Sequence, residues 1–236
     1  MLQTRDLVKR YEVGREVIRA VDGVSLSIAA GEFVALYGPS GSGKSTLIDL
    51  IAGFQEPDEG TVLVDGRDIA KLSENEHAEY LLRVLGIVGQ ASELMPAALA
   101  RENAALKLLR TDPRHATRLI EPLLLELGLG ERMDQPTSKL SMGERQRVMI
   151  ALALSLKPRL VLADEPTGNL DTRRSREVLG LIKSLCRERE AAVLLATHDP
   201  QAVSFADRVH ELRDGQLREY DPDEVYLHAG SAPAQS

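Results

Sequence analysis

Gly38-Pro39-Ser40-Gly41-Ser42-Gly43-Lys44-Ser45-Thr46 satisfies the phosphate-loop pattern G-x-x-x-x-G-K-[ST] at every fixed position. Before it, residues 32–37 (Glu-Phe-Val-Ala-Leu-Tyr) read as a short buried strand. After it, residues 44–53 read as a helix that ends at a glycine. A strand, a glycine loop and a helix N-terminus gather backbone N–H groups and a helix dipole around one point, which suits a triphosphate. Lys44 is expected to reach the β- and γ-phosphates and the Ser45 hydroxyl to sit on Mg²⁺.

The loop gives meaning to polar residues further along the chain. Leu160-Val161-Leu162-Ala163-Asp164-Glu165 reads as a buried strand delivering two acids at its C-terminal end, the edge where open α/β sheets bind ligands. Asp164 is the natural partner for a Mg²⁺ held by Ser45, and Glu165 is placed to polarise a water attacking the γ-phosphate. Residues 192–196 form a neighbouring strand that ends in Thr197-His198, so His198 is expected at the γ-phosphate. Gln90 closes the apolar run 85–90 and is expected to ligate Mg²⁺ or position water.

Composition narrows the class. The 236 residues are 43% hydrophobic, enough for a proper core, and the longest apolar run (148–154) is far short of the about 20 residues that span a bilayer. Residues 1–6 hold no apolar signal-peptide core. The one cysteine, Cys186, excludes an internal disulfide and fits a reducing compartment. A net charge of -7 and eight aromatic residues, none of them Trp, argue against nucleic acid as a partner. Arg173, Arg174 and Arg176 are flanked by Asp171 and Glu177 and read as a solvated helix face. His77, His115, His210 and His228 lack metal-ligand spacing.

In chain order, residues 2–28 suggest two or three antiparallel strands with a turn at Asp22-Gly23, and residues 59–66 a strand that returns to them. From 97 to about 157 the periodicity is helical: 100–109, 116–127 ending at Gly128, and 148–156 stopped by Pro158. This stretch is expected to form an inserted lobe. Helices at 172–189 and 200–206, the latter capped by Asp199, then alternate with strands. Asp214-Gly215 marks a hairpin between 208–212 and 216–219, and 226–236 is expected to be a disordered tail.

The set Gly38 to Thr46, Gln90, Leu140-Ser141-Met142-Gly143-Glu144-Arg145-Gln146, Asp164-Glu165, Gly168-Asn169-Leu170-Asp171 and His198, in this order, resembles the nucleotide-binding subunit of an ABC transporter over residues 2–225. The resemblance implies a P-loop NTPase of the ABC ATPase fold: a RecA-like α/β core, an antiparallel β subdomain and an inserted helical subdomain. It implies ATP and Mg²⁺ as cofactors. It implies a head-to-tail homodimer formed on ATP binding, in which Ser141 and Gly143 contact the γ-phosphate held by the other copy. Asp171 would then lie at the dimer seam and Tyr11 would stack on adenine, with the subunit monomeric without nucleotide. The partner would be an integral membrane permease, and the place of work the cytoplasmic face of the membrane, reached only through that permease. Met142 and Glu144 depart from the family's usual Gly and Gln, and Gly89 stands where an aromatic residue often precedes the glutamine. Pro166 to Asp171, Leu94-Met95-Pro96 and Glu102-Asn103 look most like the lipoprotein-releasing, macrolide-export and cell-division branch. The rival reading is a non-transport ABC ATPase that regulates a membrane partner or acts in the cytosol.

Overall fold

The computed structural model describes residues 1–14, 16–89 and 93–220. Gln90 and the 226–236 tail lie outside the described residues.

The chain opens with two long antiparallel strands, β1 (Leu2–Val13) and β2 (Glu16–Ile28). Asp22-Gly23 is not the turn that its composition suggests. Both residues lie inside β2, where Leu7 faces Val24 but Val8 faces Asp22, leaving Gly23 as the extra residue of a bulge at φ 73°. A left-handed glycine within a paired strand bends it rather than reversing it. The bulge frees the Asp22 N–H to donate to Gly215 O (2.8 Å), which ties this sheet to the next.

Strand β3 (Phe33–Tyr37) leads through the phosphate loop into α1 (Lys44–Ala52), closed by the left-handed Gly53. β4 (Glu59–Val64) and β5 (Arg67–Asp68) return to the first sheet, whose order is β2-β1-β4-β5. A short helix that periodicity did not reveal follows, α2 (Glu74–Glu79), opened by a capping box in which Ser73 and Glu76 bond reciprocally. It widens into a π-turn over Tyr80–Val84 and delivers β6 (Leu85–Val88).

The helical stretch holds α3 (Ala100–Ala104), α4 (Ala116–Glu126) and α5 (Met142–Leu154). Two boundaries differ from the periodicity. The 100–109 helix stops at Ala104 and is followed by a separate 3-10 turn at Leu108–Arg110, as tertiary contacts override propensity. The third helix begins at Met142, six residues before its apolar run, because Ser141 and Glu144 form a capping box there, and it ends at Leu154.

β7 (Leu160–Asp164), α6 (Thr172–Glu188), β8 (Ala192–Thr197), α7 (Pro200–Val203), β9 (Arg208–Arg213) and β10 (Gln216–Tyr220) complete the chain. α7 is shorter than 200–206, but it carries the Asp199 cap, whose Oδ1 accepts from Gln201 N at 2.8 Å. The second sheet runs β10-β9-β3-β8-β7-β6, parallel except for β10. Asp214 and Gly215, both left-handed, make the hairpin turn between β9 and β10.

The parallel strands are buried on both faces. Val34, Leu36, Leu160, Leu162 and Leu194 point to a core that encloses α1 and the antiparallel sheet. The intervening Phe33, Val161, Val193 and Leu195 join a second core with α3 to α6, so the helical stretch and the sheet share one apolar cluster. Among the described residues no helix is long and apolar enough to cross a membrane.

Lys107 joins the helical stretch to the π-turn, its Nζ donating to Leu81 O (3.1 Å) and Leu85 O (2.7 Å). Burial pushes its ammonium down to about 8 from an ordinary 10.5. The charged form is therefore a cost to the fold below pH 8, and that cost disappears as pH rises through the unfolded-state value. Between pH 8 and about 10.5, wild-type stability should rise relative to Lys107→Met, which has no proton to lose. Urea midpoints of the two proteins across that range test it, and a constant difference would contradict it.

Candidate active site

The loop between β3 and α1 is pressed onto two other strands, and two of its glycines are there for that reason. Gly43 sits at φ 103°, and a Cβ on it would lie 1.9 Å from Ala20 O in β2. A Cβ on Gly38 would lie 2.2 Å from Leu212 O in β9. Gly43 is also the N-cap of α1, so the helix's free N–H groups open into the loop.

Lys44 is the first residue of that helix and only 6% exposed. Its Nζ donates to Gly38 O and Pro39 O, both at 2.9 Å, and stands 3.9 Å from Glu165 Oε1. Burial lowers its ammonium below the ordinary lysine value, an effect that the Glu165 and Asp164 carboxylates partly offset. Next in the helix, the Ser45 hydroxyl faces the Asp164 carboxylate and favours its charged form. Burial outweighs Ser45 and pushes that carboxyl above the usual range, and its Oδ1 is buried without a partner.

Glu165 follows at the end of β7 with φ 46°, an uncommon left-handed conformation for a residue with a long side chain. Its N–H donates to Ala196 O (3.0 Å) and its carbonyl accepts from Gly168 N (3.1 Å), which holds the turn. Its Oε1 lies 2.8 Å from His198 Nδ1, at the end of the adjacent strand β8. Lysine, serine, two acids and a histidine thus converge from three parallel strand ends, with Gly38 N bonded to Thr197 O (3.3 Å) across the seam.

These groups border one open cleft of about 690 Å³. Tyr11, Pro39, Ser40, Gly41, Gly43, Lys44, Ser45, Thr46, Asp164, Glu165 and His198 all line it. Gly38 and Ser42 do not line it, Ser42 being buried with its hydroxyl unpaired. The cleft also takes in Ala20, Gly168 and Asn169. Gly168-Asn169 was visible as part of the 166–171 stretch, whereas Ala20 carries no signal of its own.

Three expected residues stand apart from the cleft. Ser141 caps α5, its Oγ accepting from Glu144 N (3.3 Å) while Glu144 Oε2 accepts from Ser141 N (2.8 Å) and Oε1 from Arg132 Nε (3.0 Å). Glu at 144 thus completes a cap. Gly143 follows in the first turn, where an added Cβ would meet nothing nearer than Arg174 Cδ at 3.6 Å. Asp171 caps α6 by accepting from Arg174 N at 3.0 Å.

Among the described residues no three His, Cys, Asp or Glu side chains gather as a metal cluster. The donors on offer are a serine hydroxyl and one carboxylate with an unpartnered buried oxygen. A small, oxygen-only set fits Mg²⁺, which keeps several waters and takes its other ligands from phosphates.

The fold and this strand-end constellation define a P-loop ATPase, and comparison with known proteins gives the family. The family model described as ABC transporter matches residues 21–168. The chain is 43% identical over 212 residues to the lipoprotein-releasing system ATP-binding protein LolD of Anaeromyxobacter dehalogenans (strain 2CP-C), covering 89% of each. It is 41% identical to the macrolide export ATP-binding/permease protein MacB of Rhodopirellula baltica (strain DSM 10527 / NCIMB 13988 / SH1), covering 93% of this chain but 33% of that protein. The dimeric structure of MJ0796, a bacterial ABC transporter cassette, superposes with a TM-score of 0.85 at 34% identity, covering 94% of this chain and 99% of that one. A second dimeric structure of that cassette, in a post-hydrolysis state bound to ADP and Pi, matches with the same TM-score at 33% identity and the same coverage. The chain belongs to the ABC transporter family as an ATP-binding subunit with the ABC ATPase fold.

Proposed function

We propose that two copies of this chain close head to tail around two ATP molecules and that this closure drives a separate membrane permease. The observation that carries the reading is the placement of the phosphate-binding groups in two separate sets. Lys44, Ser45, Asp164, Glu165 and His198 share one open cleft, while Ser141 and Gly143 head a different helix and do not line it. An added Cβ at Gly143 would make only an ordinary contact within its own subunit, 3.6 Å from Arg174 Cδ, so nothing in one copy forbids a small side chain there. A second copy that brings a triphosphate against the α5 N-terminus supplies the requirement for glycine. Ser, Gly and a helix N-terminus are suitable chemistry for its γ-phosphate.

Within each site Lys44 holds the β- and γ-phosphates, and Ser45 and Asp164 hold Mg²⁺, joined by Gln90 in its role at the metal or the attacking water. Tyr11 carries the adenine, with Asp171 at the seam. The metal supplies charge neutralisation at the phosphates. Glu165 takes the proton of the attacking water, and His198, fixed against Glu165 Oε1, steadies the γ-phosphate. Hydrolysis then reopens the pair.

The relatives named for lipoprotein release and macrolide export support a permease of the export or force-transmitting type, with this chain on the cytoplasmic face of the membrane. The test is co-purification of the tagged full chain from detergent-solubilised membranes, followed by ATPase assay of the complex. The expected result is a membrane protein with a large extracytoplasmic domain and ATP turnover that responds to it. Recovery with a many-helix importer and its binding protein, or with ribosomes or DNA, would overturn this reading.

A further inference from the structure

The nucleotide site contains a brace that the phosphate chemistry does not use. Tyr11 Oη donates to Gln55 Oε1 at 2.5 Å. At the other end of the same amide, Gln55 Nε2 donates to Asp49 Oδ2 at 3.0 Å. The two bonds orient one another: a carboxylate only accepts, so the NH₂ must face Asp49, which leaves the amide oxygen for the phenol proton. Asp49 lies in α1, and its backbone carbonyl also takes the N–H groups of Phe54 (2.9 Å) and Gln55 (3.4 Å). The helix that begins with Lys44 and Ser45 therefore grips the Tyr11 ring from its far end.

The segment after that helix holds a second group at the ring. Lys9, two residues before Tyr11 in β1 and so on the same strand face, places Nζ 6.0 Å from the ring centroid. That ammonium donates to Glu56 O (2.7 Å) and pairs with Asp58 at 3.4 Å.

We infer that Gln55 is a positioning residue for base recognition: through Asp49 it fixes the Tyr11 ring relative to the phosphate loop, so that one helix sets the span between base and phosphate subsites. This rests on the reading of Tyr11 as the surface on which adenine stacks. The part of nucleotide affinity that comes from the base then depends on Gln55, and the part that comes from phosphate does not. A side chain that merely supported the fold would affect both.

The experiment measures dissociation constants for ATP and for inorganic tripolyphosphate, both with Mg²⁺, on the full chain and on Gln55→Leu, Tyr11→Phe, their double variant and Tyr11→Ala. Releasing the Tyr11 phenol should weaken ATP binding about 2- to 10-fold in Gln55→Leu, which also gives up its own tie to Asp49. Tripolyphosphate binding should not change. Tyr11→Phe deletes one oxygen from the other end of the same bond, so it should match and stands in if Gln55→Leu folds poorly. The double variant should be no weaker than the weaker single, because both break the same Tyr11–Gln55 bond. Unchanged ATP affinity in either single, equal weakening of both ligands, or additive losses would overturn the inference. Tyr11→Ala separates the premise: if it loses no more ATP than tripolyphosphate affinity, the base platform itself is wrong, whereas a base-specific loss there with none in Gln55→Leu removes only the role of Gln55.

Discussion

Glu165→Gln is expected to bind ATP, hold two copies together and almost stop turning over. The substitution keeps the shape and the neighbours of the side chain, whose Oε1 lies 2.8 Å from His198 Nδ1 and 3.9 Å from Lys44 Nζ. It removes the one property the mechanism needs, a carboxylate that accepts a proton from water. Loss of a general base costs typically about 10²- to 10⁴-fold in rate. The unusual backbone at Glu165, at φ 46°, argues that the side chain is held in place for use rather than for packing. Steady-state phosphate release at saturating ATP gives the answer, and a variant that hydrolyses at the wild-type rate would remove Glu165 from its role.

The second large effect is structural. Gly43→Ala is expected to destroy nucleotide binding and to destabilise the fold by at least about 2 kcal/mol. Two causes add: an L side chain at φ 103°, and a Cβ driven to 1.9 Å from the backbone oxygen of Ala20. Because the obstacle is backbone in β2, no rotamer change relieves it. Gly41→Ala separates the causes, since Gly41 is also left-handed, at φ 80°, but has nothing within 4 Å of an added Cβ. Urea midpoints should place Gly43→Ala well below Gly41→Ala, and equal midpoints would show that the contact with β2 does not matter.

Most of the site was legible because its chemistry is local in sequence. The phosphate loop and Asp164-Glu165 are contiguous runs at strand ends, and the ends of parallel strands share one edge whatever the loops do. His198 reaches the cleft by the same rule. What could not be read is the support. Ala20 and Leu212 decide why Gly43 and Gly38 must be glycine, yet neither is close to them in sequence. Gln55 looks like any loop glutamine until β1 brings Tyr11 to it.

Two boundaries differ from the sequence reading, each for its own reason. Asp22-Gly23 reads as a turn because a left-handed glycine serves equally in a turn and in a bulge, and only pairing with β1 decides between them. Apolar periodicity begins only at Val148, whereas α5 starts at Met142. The capping box at Ser141 and Glu144 was written in the sequence as S-x-x-E. The same signal at Ser73 and Glu76 announced α2, in a segment too polar for periodicity to reveal.

The central claim is that each copy lacks part of its own site, and mixing two crippled chains tests it most directly. Lys44→Ala damages the cleft. Gly143→Asp damages the α5 N-terminus, where an added Cβ makes only an ordinary contact and the helix dipole favours a carboxylate, and its charge repels the other copy's triphosphate; circular dichroism confirms that the variant is folded before mixing. Each variant alone should be inactive. Mixed, they form dimers in which one site pairs an intact cleft with an intact Gly143, so ATP hydrolysis should return. No recovery on mixing two inactive variants, or full activity of Gly143→Asp alone, would contradict a site shared between two chains.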